Sequence, residues 1–200
     1  MLVLGLTGGI ACGKSNVSSA LRELGAEIID GDVLSRELTA PGGEALPGIR
    51  AAFGPGVFHP DGTLDRRALG AIIFADPVAR HDLERIEHPE ILRRMGVFLE
   101  ACAARGDKMA AIDAALLLES GGDALVDEVW VVHAEESVRV ARLMAREGID
   151  AAEAHRRIAA QMDEGERLAR ADRVIDNSGS LADTHGQLQG ILAALASERK

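Results

Sequence analysis

Short apolar runs of strand length alternate along this chain with stretches in which apolar residues return every three or four positions. Leu2-Val3-Leu4-Gly5-Leu6 is the first such run. Val17, Ala20, Leu21 and Leu24 then follow at helical spacing over 14–24, and Gly25 stops the pattern. Glu27-Ile28-Ile29-Asp30 reads as a short buried strand ending in a carboxylate, and Lys108 to Ile112, Glu128 to Val132 and Arg173-Val174-Ile175 are three more strand-length runs. Strands separated by helices predict a parallel, doubly wound sheet. In such sheets ligands bind beyond the carboxyl ends of the strands. Those ends carry Thr7, Asp30 with Asp32, Asp113, His133, and Asp176 with Asn177, all of them polar.

The alternation breaks between residues 60 and 107, where no strand pattern occurs. Asp61-Gly62 marks a turn, and 65–74, 77–87 and 89–105 read as helices, with Pro77 and Pro89 opening two of them. This predicts a helical insertion over about 60–107. A second helical excursion, dense in arginine, covers about 137–171, with Asp150 as the N-cap of a helix over 151–161. The core is then 1–59, 108–136 and 172–200, all within one domain of 1–200. No internal repeat or low-complexity tract interrupts it.

The loop after the first strand changes the picture most. Gly8 to Ser15 read Gly-Gly-Ile-Ala-Cys-Gly-Lys-Ser, the pattern G-x-x-x-x-G-K-[ST] placed between a strand and a helix. A loop at a helix N-terminus aims several backbone N–H groups at one point, beside the positive end of the helix dipole. Glycines at 8, 9 and 13 are expected to let the backbone approach phosphates closely and take positive φ where needed. Lys14 is expected on the β- and γ-phosphates and the Ser15 hydroxyl on Mg²⁺. Asp113, at a strand end, is a second Mg²⁺ ligand, directly or through water. The expected fold is the three-layer α/β fold of P-loop NTPases, of the nucleoside-monophosphate-kinase type: a short parallel sheet flanked by helices, with a helical substrate insertion and a helical lid.

Composition narrows the partners. The net charge of −10 argues against a nucleic-acid binder, which needs a basic stripe. It does not argue against a small phosphorylated substrate, because arginines can cluster locally. Positive charge rests almost wholly on arginine, since the lysines are only Lys14, Lys108 and Lys200. Cys12 and Cys102 make neither a disulfide framework nor a metal-ligand pair. Cys12 lies inside the phosphate loop, where N–H groups and Lys14 lower a thiol pKa, or where a small residue merely fits a crowded turn. Residues 1–6 are too short for a signal peptide and no apolar stretch reaches about 18 residues, so a cytoplasmic protein is expected, without a membrane partner. No obligate protein partner is indicated.

Phosphoryl transfer asks for a held γ-phosphate, neutralised charge and an aligned acceptor hydroxyl, often beside a carboxylate that takes its proton. Asp30 and Asp32 are candidates for that carboxylate, and either of them alone also reads as a helix N-cap. Arg36 follows Asp32 by four residues and shares its face if a helix starts there. Arg139, Arg142 and Arg146 fall at i, i+3 and i+7, a face fit to close over ATP, or else a solvated face paired with Glu135, Glu136 and Glu147. The guanine-reading Asn-Lys-x-Asp or Thr-Lys-x-Asp of a GTPase does not occur, and Asp183 to Gly186 lie too late in the chain to sense a γ-phosphate. A small-molecule kinase fits best. Another nucleotide or small-molecule kinase, or an ATP-binding regulatory protein without turnover, are the alternatives.

Several segments in order resemble the dephospho-CoA kinase family. They are Leu6-Thr7-Gly8-Gly9-Ile10, Ile29-Asp30-Gly31-Asp32 with Arg36, and Gly62-Thr63-Leu64-Asp65-Arg66-Arg67-Ala68-Leu69 followed by Ile73-Phe74. His88-Pro89, Leu116-Leu117 with Glu119, Arg157-Ile158 with Gln161, and Asp172 through Val174-Ile175-Asp176-Asn177 complete the likeness. The resemblance implies transfer of the ATP γ-phosphate to the ribose 3′-hydroxyl of dephospho-CoA, the last step of coenzyme A synthesis. It implies Asp32 as catalytic base, with Lys14 and Arg142 also catalytic. Gly8, Gly9, Ala11, Cys12, Gly13, Lys14, Ser15, Asn16, Arg142, Arg146 and Asn177 are then expected on the nucleotide. Thr7, Asp32, Arg36, Leu64, Arg67, Phe74, His88, Leu116 and Glu119 are expected on the acceptor. Three departures stand out: Ala115 for the usual Pro before Leu-Leu, Gly31 for Ala between the aspartates, and Ala11-Cys12 with Asn16 for the usual Gly-Ser and Thr of the loop.

Overall fold

A computed structural model describes residues 1–198. Lys200 and the last two residues of the expected core segment 172–200 lie outside the described residues. In chain order the elements are β1 (Leu2–Thr7), α1 (Lys14–Glu23), β2 (Glu27–Asp30), α2 (Gly31–Leu38), α3 (Leu46–Phe53), α4 (Arg66–Ala75) and α5 (Pro77–Arg105). They continue with β3 (Met109–Asp113), β4 (Glu128–His133), α6 (Glu136–Glu147), α7 (Ala151–Ala159), α8 (Glu164–Ala169), β5 (Arg173–Asp176) and α9 (Leu181–Glu198). The five strands form one sheet in the order β2-β3-β1-β4-β5. By contacts the chain divides into two units, one of Met1–Ile29 with the residues from Ala101 onward, the other of Asp30–Glu100.

In the first unit β1 is the central strand. It pairs in parallel with β3, from Leu2 opposite Met109 to Leu6 opposite Asp113, and with β4, from Leu4 opposite Glu128 to Thr7 opposite Val131. β5 pairs with β4, from Trp130 opposite Arg173 to His133 opposite Asp176. A parallel strand covered on both faces must be apolar along its whole length, and Leu4, Leu6 and Thr7 are fully buried. On one face Leu4, Leu6, Val17, Leu21, Trp130, Ile175, Leu188 and Leu195 make the main core, drawing α1 and α9 onto the sheet. At Gly5 a side chain has no room: its Cβ would lie 3.1 Å from Val126 and nearer still to Leu117, which is buried there. A smaller cluster of Val140, Leu143 and Ala154 joins α6 to α7, and Ile10, Ala11, Ile149 and Ile158 pack on it.

The second unit holds the last residue of β2 and then α2, α3, α4 and most of α5, with turns between them. Leu34, Leu38, Ile49, Val57, Leu69, Ile91 and Met95 are its buried apolar side chains. Polar ties join its helices: Arg66 donates to the Arg36 carbonyl at 3.2 Å and to Thr39 Oγ1 at 2.6 Å, and Ser35 donates to Glu87 Oε2 at 2.8 Å. The block Gly62 to Leu69 is a turn and a helix start. Asp61 Oδ1 accepts from the Thr63 N–H, Leu64 bridges to Phe58, and Asp65 caps α4 by accepting from the N–H groups of Arg67 and Ala68.

Pro89 opens no helix; α5 runs unbroken through it from Pro77 to Arg105. A proline inside a helix removes one N–H donor and crowds the carbonyl four residues back, at a local cost of about 3 kcal/mol. In a helix of 29 residues that cost is spread against long flanking stretches of good helix formers. The other expected elements are present, each within one or two residues of its expected ends, and α2 and α3 add two short helices that the spacing did not define.

Candidate active site

β1 ends at Thr7 and α1 begins at Lys14, so residues 8–13 form the loop between them. The cap position of α1 is Gly13, in the left-handed region with φ of 87°, and no side chain caps the helix. The contrast with four other helices is plain: Asp30, Asp65, Asp150 and Asp163 cap α2, α4, α7 and α8 with side-chain oxygens. An uncapped N-terminus keeps its orphan N–H groups for an external anion. Ala11, with φ of 62°, is the only non-glycine residue at positive φ among the described residues. That conformation costs roughly 1–2 kcal/mol, and the apolar cluster of α6 and α7, on which Ile10 and Ala11 pack, offsets it.

The glycines of the loop differ in what the fold asks of them. Only Gly13 has a positive φ, and a Cβ there would also run into the Asn177 side chain. Gly8 and Gly9 need no unusual backbone. A Cβ at Gly8 would fall 2.5 Å from the Val132 carbonyl oxygen, and one at Gly9 would fall 2.8 Å from Arg139 Cζ. They are small because protein packs against them.

Lys14 Nζ forms an ion pair with Asp113 Oδ1, and Asp113 at the end of β3 is 4% exposed. Ser15 and Asn16 are exposed in the first turn of α1. Thr7 is buried and its hydroxyl donates to the Ala115 carbonyl at 3.1 Å, so the turn at the departing Ala115 is tied to β1. Cys12 is buried, and desolvation pushes its thiol pKa up. The nearby N–H of Lys14 and the charges of Arg139 and Lys14 oppose that rise but do not reverse it. Cys12 is therefore a packing residue and not a reactive thiol.

The three arginines expected to share one task are separated by the structure. Arg139 is 3% exposed, and its guanidinium is spent on Ile10 O at 3.0 Å, Glu164 Oε2 at 3.2 Å and Gln161 Oε1 at 3.4 Å. Arg142 donates to the loop carbonyls of Ala11 and Cys12 at 3.4 and 3.2 Å and to the Asn177 carbonyl at 2.8 Å. Arg146 is exposed and pairs with Glu147 at 2.6 Å. Glu136 instead pairs with His155 at 2.7 Å. Asn177 is buried, donates from Nδ2 to Cys12 O at 2.7 Å and accepts from Thr184 Oγ1 at 2.8 Å. The loop is thus braced from β5 and α6.

Sequence reasoning missed most of that bracing. Gln161 was singled out only within a family segment, yet its Oε1 accepts from the Ile10 N–H at 2.7 Å. Glu164 carried no signal, because its partners His133 and Arg139 lie 31 and 25 residues away. A cavity of about 510 Å³ adjoins this network, lined by His133, Glu136, Arg139, His155, Gln161 and Glu164 among others.

In the second unit the structure distinguishes the two aspartates. Asp30 Oδ1 accepts from the N–H groups of Asp32 and Val33 and so caps α2. Asp32 is exposed in the first turn, and Arg36 stands one turn later, also exposed. Arg67 is exposed, Leu64 and His88 are half-buried, and Phe74 is 90% exposed. Leu116 and Glu119, in the first unit after β3, are exposed as well.

A parallel five-stranded sheet with this strand order, a phosphate loop at the end of its central strand and a strand-end Asp on the loop lysine define a P-loop kinase of the nucleoside-monophosphate-kinase type. The chain belongs to the dephospho-CoA kinase family, whose model matches residues 2–183. A dephospho-CoA kinase of Symbiobacterium thermophilum is 49% identical over 189 residues, covering 94% of this chain and 79% of that one. The dephospho-CoA kinase of Leifsonia xyli is 47% identical over 196 residues, covering 98% and 99%. A crystal structure of a Thermus thermophilus protein superimposes with a TM-score of 0.79 at 34% identity, covering 97% of each chain. The protein is a phosphotransferase. No helix among the described residues is long and apolar enough to cross a membrane.

Proposed function

We propose that the chain transfers the γ-phosphoryl group of ATP to the ribose 3′-hydroxyl of dephospho-CoA, with Asp32 as general base. The observation that carries the assignment of the base is the division of labour at the end of β2. Asp30 spends its carboxylate on capping, while Asp32 keeps an exposed carboxylate in the same turn. A carboxylate free of structural duty can accept the acceptor's proton as its oxygen attacks phosphorus.

The uncapped start of α1 and the loop amides hold the phosphates, and Lys14 moves its charge from Asp113 toward the transferring group. Ser15 and Asp113 offer oxygen ligands, the donor type Mg²⁺ takes, and Mg²⁺ usually keeps waters and substrate phosphates as its remaining ligands. When bound, Mg²⁺ neutralises charge on the β- and γ-phosphates. Gly8, Gly9, Ala11, Cys12, Gly13 and Asn16 shape the cradle, Arg142 and Asn177 brace it from behind, and Arg146 contributes positive charge at the nucleotide. Thr7, Arg36, Leu64, Arg67, Phe74, His88, Leu116 and Glu119 bind the acceptor, with Arg36 and Arg67 on its phosphates and Phe74 on an apolar or aromatic part. Soluble substrates of this kind suit a cytoplasmic enzyme.

The test is positional. Dephospho-CoA incubated with ATP and the enzyme should yield a product whose new phosphate is on the ribose 3′-oxygen by phosphorus NMR. A phosphate on any other hydroxyl would overturn the proposed acceptor geometry.

A further inference from the structure

The two peptide groups that flank the Ile10 Cα, in the phosphate loop, are each held by a side chain remote in sequence. The Ile10 N–H donates to Gln161 Oε1 at 2.7 Å and the Ile10 carbonyl accepts from Arg139 Nε at 3.0 Å. Arg139 does not hang free over the loop. Its Nη1 donates to Glu164 Oε2 at 3.2 Å, and that same oxygen accepts from Arg167 Nη1 at 2.7 Å. The other Glu164 oxygen lies 2.8 Å from His133 Nδ1, at the end of β4. Arg139 and Arg167 are 3% and 2% exposed. The guanidinium also lies so close to Gly9 that a Cβ at that position would displace it.

Two physical consequences follow. A loop N–H that already has a side-chain acceptor is withdrawn from anion binding, so Ile10 contributes shape and not a hydrogen bond to phosphate. With the peptide plane on each side of its Cα held, Ile10 is restrained in both φ and ψ, so the amides that follow it are aimed before any nucleotide arrives. Such preorganisation is what makes a backbone cradle effective.

We propose that Arg139 and Gln161 are positioning residues for the triphosphate: together they fix the two peptide groups that flank the Ile10 Cα and thereby the aim of the phosphate loop, and Glu164 fixes Arg139. In this role Arg139 acts through the loop, to whose Ile10 carbonyl it donates. This inference rests on the reading of residues 8–15 as the triphosphate site.

The test uses steady-state kinetics of the full chain with ATP and dephospho-CoA, comparing wild type with Arg139→Met, Arg139→Lys and Gln161→Leu, and with Lys14→Ala as control. A misaimed cradle should raise the KM for ATP about tenfold or more in Arg139→Met and in Gln161→Leu. The KM for dephospho-CoA should stay within about twofold, and kcat should fall less than the ATP KM rises. Arg139→Lys keeps a donor for the Ile10 carbonyl and should recover most of the loss. An ATP KM within about twofold of wild type in folded Arg139→Met would overturn the proposal. So would equal losses for both substrates, or a fall in kcat larger than the rise in the ATP KM. If Arg139→Met does not fold, Gln161→Leu decides by the same criteria. Lys14→Ala separates the two levels: an unchanged ATP KM there defeats the phosphate-loop reading itself. Loss in Lys14→Ala with none in Arg139→Met or Gln161→Leu defeats only the positioning role.

Discussion

Asp30 Oδ1 accepts the backbone N–H of Asp32 at 2.8 Å, so one aspartate of the pair serves the helix and leaves the other unspent. The two should therefore fail in different ways when changed. Asp32→Asn should lower kcat by roughly 10²–10⁴, the usual worth of a general base, with ATP affinity and melting temperature unchanged. Asp30→Ala should cost about 1 kcal/mol of stability, as the loss of a helix cap does. Turnover and thermal melts of both variants check this, and near-normal turnover in Asp32→Asn would place the base elsewhere.

Lys14 and Asp113 form a second relationship with a double outcome. Asp113 is almost fully buried and its cation is Lys14, whose side chain is 16% exposed. Breaking a fully buried pair costs about 3–5 kcal/mol; the partial exposure of Lys14 reduces that, and Lys14→Ala should lose about 2 kcal/mol without nucleotide. Its ATP affinity should fall at least about tenfold, since the lysine also serves the phosphates. The double variant Lys14→Met with Asp113→Asn should regain most of the stability and none of the activity. Denaturant melts and nucleotide titration of the three proteins measure both.

Glu87 and Glu90 lie one turn apart on α5 and shift in opposite directions. Burial pushes Glu87 above the ordinary 4.5, against the opposing pull of the Ser35 hydrogen bond and the charge of Arg66. Hydrogen bonds from Arg93 and Arg94 draw Glu90 down to about 2. A raised carboxyl binds its proton more tightly in the folded state, so its cost to stability appears as pH rises through 4.5 and beyond. Glu87→Gln should raise the melting temperature at pH 7. That gain should vanish below about pH 4, where the folded and unfolded carboxyl are both protonated. A lowered carboxyl has the reverse sign. Glu90 stabilises above 4.5, and its contribution is lost as pH falls toward about 2. Glu90→Gln should therefore lower the melting temperature at pH 7 and not at pH 2. Melting curves from pH 2 to 8 test both directions.

What the sequence could and could not reveal divides along the range of the interactions. The strand ends Thr7, Asp30, Asp113, His133 and Asp176 follow from local apolar runs, and all five are where the pattern put them. The cap at Asp150 follows from a residue type at a helix start. Pro89 was misread because a proline's local penalty was given more weight than the helix on both sides of it. Arg139 and Arg146 share a periodic face with Arg142, yet their partners differ because Glu164, Ile10 and Glu147 approach from different parts of the chain. Gly9 falls in the phosphate-loop pattern, and the arginine that packs against it lies 130 positions later, where no local pattern points back to it. Helical spacing places residues on a face; it does not say what meets that face.

The central claim is that ATP turnover depends on one acceptor. The most direct measurement is ADP release by the purified protein with ATP and Mg²⁺, alone and with dephospho-CoA or with panels of nucleoside monophosphates and small hydroxy acids at equal concentration. Release above background is expected with dephospho-CoA only, stoichiometric with coenzyme A formed. Background release with dephospho-CoA, together with clear release for another acceptor, would contradict it.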